Sequence, residues 1–363
     1  MVVIRTAVIG AGAIARRGHL PALKLLEKEG LVEIIAIVDI KEDLARRVTK
    51  EFDIPKYYTD HNEMLRAEEP DVTIICTPTP THFGIAKDCI EFSHLLIEKP
   101  LCIKLSEALV LRDLAEKNNR IIGEVYNYRY FPSVLKALKR VREGYLGKLV
   151  SIQGTYFTHF PVAWTRATWL YHERGVLYDG LPHMIDLMLL IGNGRPLRVS
   201  AFGGDMLEDA GFINHASFAV ELDNRVFLTG VNSWIVGTSF VFMLELYGTG
   251  GFGYLDVRGD FYREYHGTRT VVHDLFYMKD EFINFARSVL SGRFFVGALA
   301  HYPILLRQFL MGVEKGEKIP VSIDDSIERL IILEGIVYSI KNKEIADRRV
   351  LLEKAEEESL KMG

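Results

Sequence analysis

The chain has 363 residues, of which 48% are hydrophobic and 25% are charged. This composition is typical of a globular protein rather than a disordered one, and the length favours two domains. The formal net charge of −4 leaves no strong overall field, so we predict neither a nucleic acid nor a membrane as a partner.

The first residues and the cysteines indicate a compartment. Met1–Arg5 lead straight into a strand pattern without a signal-peptide layout, and no apolar stretch approaches the roughly 20 residues that span a bilayer. The three cysteines have no metal-ligand spacing, so we predict buried thiols, no metal site and a cytoplasmic protein. Glutamine occurs only at positions 153 and 308, among many lysines, arginines and glutamates, which hints at a heat-adapted protein.

Short apolar β patterns alternate with helical patterns in the first third of the chain. The predicted strands are Thr6–Ile9, Leu31–Asp39, Val72–Cys76, Leu95–Glu98 and Ile121–Val125. The predicted helices are Ile14–Lys28, Lys41–Phe52, Thr81–Phe92 and Ser106–Asn118. Strands that are apolar on both faces and separated by helices are typical of a parallel sheet covered on both sides. We therefore predict that residues 1–124 form a doubly wound α/β domain of the Rossmann type.

The pattern changes after a predicted helix at Ser133–Glu143. The predicted strands are now Lys148–Phe157, Leu197–Gly203, Ala216–Leu222, Val226–Trp234, Phe240–Tyr247 and Tyr254–Val257, and helices follow at Met278–Leu290, Tyr302–Glu314 and Asp324–Lys341. Short turns such as Asp223-Asn224 favour antiparallel pairing. We predict an α+β domain over residues 125–350 with a large, open, mostly antiparallel sheet. The charged tail, residues 351–363, is expected to fray from Lys354.

The segment Gly10–Ala15 has the pattern G-x-G-x-x-A and directly follows the first predicted strand. In that context Gly10 allows a tight turn, and Gly12 lets a pyrophosphate approach the backbone. The N–H groups of Ala13 and Ile14 then face the phosphates at a positive helix end. A tight turn without a ligand is the plain structural alternative.

Two further segments belong to the predicted dinucleotide site. Asp39 ends the second strand, where its carboxylate accepts both ribose hydroxyls and repels a 2′-phosphate, so NAD is favoured over NADP, although Lys41 lies close enough to soften that preference. Thr77 and Pro78 follow the next strand and are predicted to wall the cofactor, although prolines there equally suit a stiffened loop. His82 is a further candidate for the cofactor site.

Several segments together resemble the glucose–fructose oxidoreductase/inositol dehydrogenase family, also written Gfo/Idh/MocA. Glu98-Lys99-Pro100 stands at the end of a strand, after the T-P-x-x-x-H segment that ends at His82. Val125–Pro132 is similar to the family segment that follows the next strand. Gly175–Asp186 resembles the D-x-x-x-H-x-x-D motif of the second domain. The resemblance covers most of the chain and implies a dehydrogenase that assembles through its open sheet as a dimer or tetramer.

The chemistry of these residues agrees with that resemblance. Lys99, with Glu98 at the cofactor, is predicted beside the nicotinamide, where an ammonium holds the reacting oxygen and stabilises a developing alkoxide. Asp179 and His183 are four residues apart, so on a helix they share a face; the histidine takes the substrate proton and the carboxylate orients it or binds a hydroxyl. The same spacing also suits a helix-surface contact. Asp186 is interpreted as a supporting or structural residue.

Aromatic and polar side chains are candidates for the substrate pocket, because sugars are bound by aromatic faces and polar tips together. The candidates are Tyr126, Arg129, His159, Trp164, Arg166 and Trp169. Packing on a sheet face is the plain alternative for the aromatic ones. The segment departs from the family pattern at Glu173-Arg174, at Gly180 and at Pro182, so the pocket shape is expected to differ.

We predict that the chain transfers a hydride between NAD and a secondary hydroxyl or ketone of a sugar, cyclic polyol or nucleotide-sugar. One alternative is an NAD-dependent glycosidase, in which transient oxidation enables elimination. The other is a nucleotide-sensing regulator without catalysis. Net NADH production separates the first hypothesis from both alternatives.

Overall fold

The computed structural model describes residues 3–158, 175–207, 210–237, 240–267 and 297–362. It divides the chain into two compact units. Unit 1 contains Met1–Asn127, Ala298–Ile327 and Ala355–Gly363, and unit 2 contains Tyr128–Gly297 and Glu328–Lys354. The predicted domain boundary at 124/125 lies close to residue 127, where the first segment of unit 1 ends. Unit 1 also contains residues 298–327, which sequence analysis placed in the second domain, and residues 355–363, which it placed in the tail.

Unit 1 contains a six-stranded parallel sheet in its described part, with the order β3-β2-β1-β4-β5-β6. The strands are β1 (Ile4–Ile9), β2 (Val32–Val38), β3 (Lys56–Tyr58), β4 (Val72–Ile75), β5 (His94–Ile97) and β6 (Ile122–Glu124). Apart from β3, these strands are mostly buried, as expected for a sheet with helices on both faces. The predicted Rossmann architecture is confirmed.

The helices between these strands are α1 (Leu20–Lys28), α2 (Glu42–Phe52), α3 (His61–Glu68), α4 (His82–Cys89) and α5 (Leu105–Lys117). The predicted helix Ile14–Lys28 is interrupted, because residues Ala15–His19 form a π-helical turn before α1. Sequence analysis missed β3 and α3, which are short and polar. Asp60 caps α3 by accepting the N–H of Asn62 at 2.7 Å.

In unit 2 the described strands form an eight-stranded sheet with the order β13-β12-β11-β7-β10-β9-β8-β14. They are β7 (Leu149–Phe157), β8 (Pro196–Gly204), β9 (His215–Leu222), β10 (Phe227–Ser233), β11 (Val241–Gly248), β12 (Phe252–Asp256), β13 (Phe261–Tyr265) and β14 (Ala346–Asp347). Every described pairing is antiparallel except that of β7 with β10. The predicted mostly antiparallel sheet is therefore confirmed.

The helices α6 (Pro132–Arg142) and α7 (Leu181–Gly192) pack against one face of this sheet. Most of α7 is buried, and it lies close because Gly154 of β7 has no side chain: a Cβ there would lie 2.6 Å from Met184 Sδ. On the other face most side chains from β7 to β12, such as Thr229, are exposed or half-buried, whereas Phe261 and Arg263 of β13 are buried. The sheet is open on that side within the described part of unit 2.

Three further α-helices lie in the described residues: α8 (Tyr302–Lys315), α9 (Ile323–Asn342) and α10 (Arg348–Ser359). The tail does not fray from Lys354 as expected, because α10 continues to Ser359 and buries Leu351 and Ala355. The predicted helix Met278–Leu290 lies outside the described residues. No helix within the described ranges has both the length and the apolar character to cross a membrane.

Candidate active site

The loop after β1 has two glycines with different physical roles. Gly10 has a φ of +99°, and a Cβ there would lie 2.8 Å from the carbonyl carbon of Cys76, so only glycine fits. At Gly12 a Cβ would meet no described atom within 4 Å. Open space therefore faces the backbone where the pyrophosphate is predicted, directly before the helical turn that begins with Ala13 and Ile14.

Asp39 follows β2, and backbone donors fix its carboxylate. The N–H of Ala11 donates to Oδ2 and the N–H of Lys41 donates to Oδ1, both at 2.9 Å. Each carboxylate oxygen accepts more than one hydrogen bond, so both keep capacity for ligand hydroxyls. This geometry suits the predicted role of Asp39 at the ribose.

The candidate cofactor-binding residues lie together at one edge of the parallel sheet, where its strands end. Asp39, Gly10, Thr77 and Lys99 stand just beyond β2, β1, β4 and β5, which are neighbours in the sheet. The carboxyl ends of parallel strands share an edge, and doubly wound sheets bind their ligands there. The fold of unit 1 therefore brings these residues, distant in sequence, to a common edge.

His82 joins two of these loops. It is 1% exposed; its Nδ1 lies 3.0 Å from the carbonyl oxygen of Pro100, and its Nε2 lies 2.8 Å from that of Thr77. Burial lowers the pKa of His82, against the effect of those carbonyls, so the neutral ring donates to one of them. Both ring nitrogens face protein carbonyls, which favours a structural role; direct contact with the cofactor stays a prediction, as it does for half-buried Thr77 and exposed Pro78.

Glu98 has partners that sequence analysis missed. Its Oε1 accepts from His19 Nε2 at 2.8 Å and from the Tyr302 hydroxyl at 2.9 Å, and its Oε2 accepts the N–H of Lys99 at 3.2 Å. Burial raises the pKa of Glu98, but the interactions with His19, the hydrogen bond from Tyr302 and the charge of Lys99 outweigh it and leave the pKa lowered. Glu98 is thus an ionised carboxylate held by protein donors, and its predicted contact with the cofactor is untested. Lys99 is half-buried and forms a cis peptide with Pro100.

Unit 2 brings Tyr128 close to two residues of the second-domain motif, Asp179 and His183. His183 lies in the first turn of α7, while Asp179 lies in the turn before that helix, so the predicted sharing of one helix face is wrong. The ring of Tyr128 packs edge-on against His183, with centroids 4.7 Å apart. Burial, and then the charge of Asp179, raise the pKa of Tyr128 to about 12. Tyr128 therefore lies close to both predicted catalytic residues, a role that sequence analysis did not assign to it.

Two glycines of this motif lie where a side chain would meet other parts of unit 2. A Cβ on Gly180 would lie 1.9 Å from Cε1 of Tyr156, so the turn before α7 packs directly on that ring. Gly175 has a φ of +36°, and a Cβ there would lie 2.3 Å from the carbonyl oxygen of Ile213. Pro182 stands in the first turn of α7, where its missing N–H costs little.

Asp186, one turn beyond His183, lies in a buried ion cluster. Its carboxylate accepts from Arg129 Nε at 2.8 Å and Nη2 at 2.5 Å, and from Arg329 Nη1 at 2.9 Å. Asp186 is 1% exposed and Arg329 is 2% exposed. This cluster agrees with the structural interpretation of Asp186. It also gives the Arg129 guanidinium a partner within the protein. The predicted substrate contact of Arg129 stays a prediction.

The other candidates are placed less informatively. Tyr126 is 1% exposed, so its ring belongs to the interior of the described structure. Trp164, with His159, Arg166 and Trp169, lies outside the described residues.

The predicted catalytic residues belong to different units: Lys99 lies in unit 1, and Asp179 and His183 lie in unit 2. The described residues contain no group of three or more His, Cys, Asp or Glu side chains that would hold a metal ion.

Curated relatives of the chain include dehydrogenases. The scyllo-inositol 2-dehydrogenase (NAD(+)) of Bacillus subtilis is 26% identical over 61% of this chain and 64% of its own length. A glycosyl hydrolase family 109 protein of Akkermansia muciniphila is 30% identical over 65% of this chain and 54% of its own. The myo-inositol 2-dehydrogenase of Thermotoga maritima is 28% identical over 40% of this chain and 42% of its own. The matched part of the chain thus spans between 42% and 64% of the length of these relatives.

Solved structures share the fold over nearly the whole chain. Myo-inositol 2-dehydrogenase from Lactobacillus plantarum has a TM-score of 0.77 at 19% identity and covers 95% of this chain and 99% of its own. An oxidoreductase from Agrobacterium radiobacter, in complex with NAD+, L-tartaric acid and magnesium, has a TM-score of 0.80 at 16% identity and covers 96% and 100%.

Two family models match consecutive parts of the chain. Residues 4–126 match the oxidoreductase family with an NAD-binding Rossmann fold, and residues 134–252 match the GFO/IDH/MocA C-terminal domain. Together they cover more than half of the chain. The chain therefore belongs to the GFO/IDH/MocA oxidoreductase family.

Proposed function

We propose that the chain is an NAD-dependent dehydrogenase acting on a secondary hydroxyl of a sugar, a cyclic polyol such as an inositol, or a nucleotide-sugar. One observation carries the proposal: Asp39, Gly10 and Lys99 follow three strands whose carboxyl ends share an edge of the parallel sheet. A dinucleotide whose ribose lies at Asp39 and whose pyrophosphate lies at the glycine loop extends along that edge towards Lys99.

The residues at this edge fit the cofactor. Gly12 leaves open space before the backbone, and Asp39 presents a carboxylate whose orientation two N–H groups fix. A 2′-phosphate beside that carboxylate would be repelled, which favours NAD over NADP. When bound, NAD+ supplies the hydride acceptor.

Side chains of the protein then act on the reacting oxygen of the substrate and on the proton of its hydroxyl. The ammonium of Lys99 holds the reacting oxygen and stabilises negative charge that develops there. His183 takes the hydroxyl proton, because imidazole accepts protons near neutral pH. Asp179 orients the substrate or His183 from the turn before α7, and the Tyr128 ring packs edge-on against the imidazole.

The test is NADH formation over a panel of sugars, inositols and nucleotide-sugars. Lys99→Ala and His183→Ala should each lower kcat/KM by about 100-fold or more. Lys117→Ala and His266→Ala, which truncate exposed side chains of the same types, are the matched controls and should leave the rate unchanged. Wild-type rates in both Lys99→Ala and His183→Ala would remove this assignment of roles.

A second candidate is redox-assisted elimination with a permanently bound cofactor. It is favoured by the relative named as a glycosyl hydrolase. Release of a leaving group from a glycoside, without net accumulation of NADH, would select this function. Binding of NADH without turnover of any substrate would instead favour the regulator hypothesis.

We further propose that the open face of the sheet in unit 2 joins copies of the chain into a dimer or tetramer. Phe202 on β8 is 80% exposed and Phe227 on β10 is 49% exposed, and apolar patches of this kind mark interaction sites. Phe202→Glu should shift the mass measured by light scattering towards the monomer. Val350→Glu introduces the same charge at an exposed apolar side chain of α10 and should leave the mass unchanged. An unchanged mass in Phe202→Glu would reject this surface.

A further inference from the structure

A buried chain of hydrogen bonds links the glycine loop to the backbone of Lys99. His19, fully buried, ends the π-helical turn that begins three residues after Gly12. Its Nε2 lies 2.8 Å from Glu98 Oε1, and the other oxygen of Glu98 accepts the N–H of Lys99. The helical turn that follows the glycine loop, and the residue predicted to act on substrate, are thus linked through two hydrogen bonds of Glu98.

Tyr302, the first residue of α8, completes this chain from a distant part of the sequence. Its hydroxyl donates to the same Glu98 oxygen as His19, at 2.9 Å. Its ring packs edge-on against His19 with centroids 4.8 Å apart. A Cβ on Gly18 would lie 3.0 Å from the Tyr302 ring, so the absence of a side chain there lets the turn lie against the phenol.

The carboxylate at the centre has little freedom. Glu98 is 7% exposed, and its lowered pKa keeps it ionised at neutral pH. Two donors hold one oxygen and the next peptide group holds the other, so a rotation of the carboxylate breaks several hydrogen bonds together. A fixed carboxylate fixes the peptide from which the Lys99 side chain extends. The π-helical turn that carries His19 is a rare geometry that is frequent at functional sites.

We propose that His19, Glu98 and Tyr302 form a positioning network that couples dinucleotide binding at the glycine loop to the placement of Lys99. The part of the inference that concerns Lys99 in catalysis rests on the proposed function. The part that concerns the glycine loop depends only on the affinity for the dinucleotide. None of the three residues needs to touch the substrate. Loss of one hydrogen bond moves the ammonium relative to the reacting oxygen, and misplacement by about 1 Å costs up to about 100-fold in rate.

The first test compares two tyrosines of unit 1. Tyr302→Phe removes the hydroxyl from Glu98, and Tyr58→Phe removes a hydroxyl from another buried carboxylate, Glu68. Tyr302→Phe should lower kcat at saturating substrate about tenfold and raise the Kd for NADH, measured by fluorescence titration, about threefold or more. Tyr58→Phe should change neither. If Tyr302→Phe alters only the Tm, or behaves as Tyr58→Phe does, the network is structural and the proposal is overturned.

The second test uses two substitutions of His19 and does not depend on the hydroxyl. His19→Gln keeps an N–H that reaches Glu98, whereas His19→Leu fills similar space without a donor. The glutamine variant should retain more of kcat and of NADH affinity than the leucine variant. Equal loss in the two folded variants would overturn the proposal. A wild-type chain that turns over no substrate contradicts the proposed function instead, and the NADH titrations then decide this inference by themselves.

Discussion

Each unit buries a carboxylate beside a predicted catalytic residue, and the two carboxylates are held by different partners. In unit 1, Glu98 precedes Lys99 and accepts from a histidine, a tyrosine and a backbone N–H. In unit 2, Asp186 follows His183 by one turn and accepts from two arginines. Both are nearly inaccessible to solvent.

Because their partners differ, we expect the two carboxylates to differ in how far activity and stability depend on them. A hydroxyl or imidazole N–H is exchanged at moderate cost, because the remaining donors still solvate the carboxylate. Arginine is permanently charged, so removal of Asp186 would leave two cations in the interior of unit 2 without that counter-charge. We therefore expect changes around Glu98 to affect mainly activity, and changes around Asp186 to affect mainly folding.

The largest expected effect follows from Asp186→Ala. Breaking a buried ion pair from one side typically costs about 3–5 kcal/mol in the free energy of unfolding. Urea denaturation should show a loss of this size. Glu221→Ala removes the carboxylate from Arg198, which is 57% exposed, and should cost about 1 kcal/mol or less. Similar losses in the two variants would contradict the contrast between buried and exposed pairs.

A smaller effect is expected from added side-chain volume at the start of two helices. Gly180→Ala would place a Cβ against the ring of Tyr156 and should lower the free energy of unfolding by about 1–3 kcal/mol. It should also lower kcat, because the turn carries Asp179. Gly84→Ala in α4 is the matched control, since no described atom lies within 4 Å of its added Cβ. That variant should be neutral or stabilised by up to about 1 kcal/mol. A stable, fully active Gly180→Ala would contradict the packing inferred here.

Local patterns were sufficient for much of this fold. Apolar runs predicted five strands of the parallel sheet and six of the described strands of the other sheet, because burial of one or two faces produces a regular apolar pattern. The strands β3, β13 and β14 were missed. The π-helical turn at Ala15–His19 was not predicted, since no pattern of residue types distinguishes such a turn from the start of an α-helix.

The partners of Glu98 and Asp186 could not be predicted from local sequence either. Tyr302 is 204 residues from Glu98, and Arg329 is 143 residues from Asp186. An isolated tyrosine or arginine within an ordinary helix gives no signal of the carboxylate that it meets in the fold. For the same reason the sequence did not reveal that Asp186 engages the guanidinium of Arg129, whose substrate contact stays a prediction.

The smallest expected effect is a difference between the two units in how much stability they lose as the pH falls. In unit 1, burial lowers the pKa values of His82 and His94 from the ordinary 6.5. Their neutral forms stabilise the fold above pH 6.5, and that stability is lost as the pH falls through their folded pKa values. In the described part of unit 2, Asp223 and Glu264 have lowered pKa values, from 3.8 and 4.5, so their contribution is lost only in stronger acid.

Hydrogen exchange read by mass spectrometry, corrected for intrinsic rates, should therefore increase in unit 1 before unit 2 as the pH falls from 7 to 5.5. His94→Asn sharpens the test, because an amide oxygen still accepts the N–H of Ile121 but does not titrate. Between pH 7 and 5.5 this variant should lose about 1–2 °C less in Tm than the wild type. His266→Asn, at an exposed position, should follow the wild type. Equal acid sensitivity in the two units would mean that the buried histidines do not set this difference.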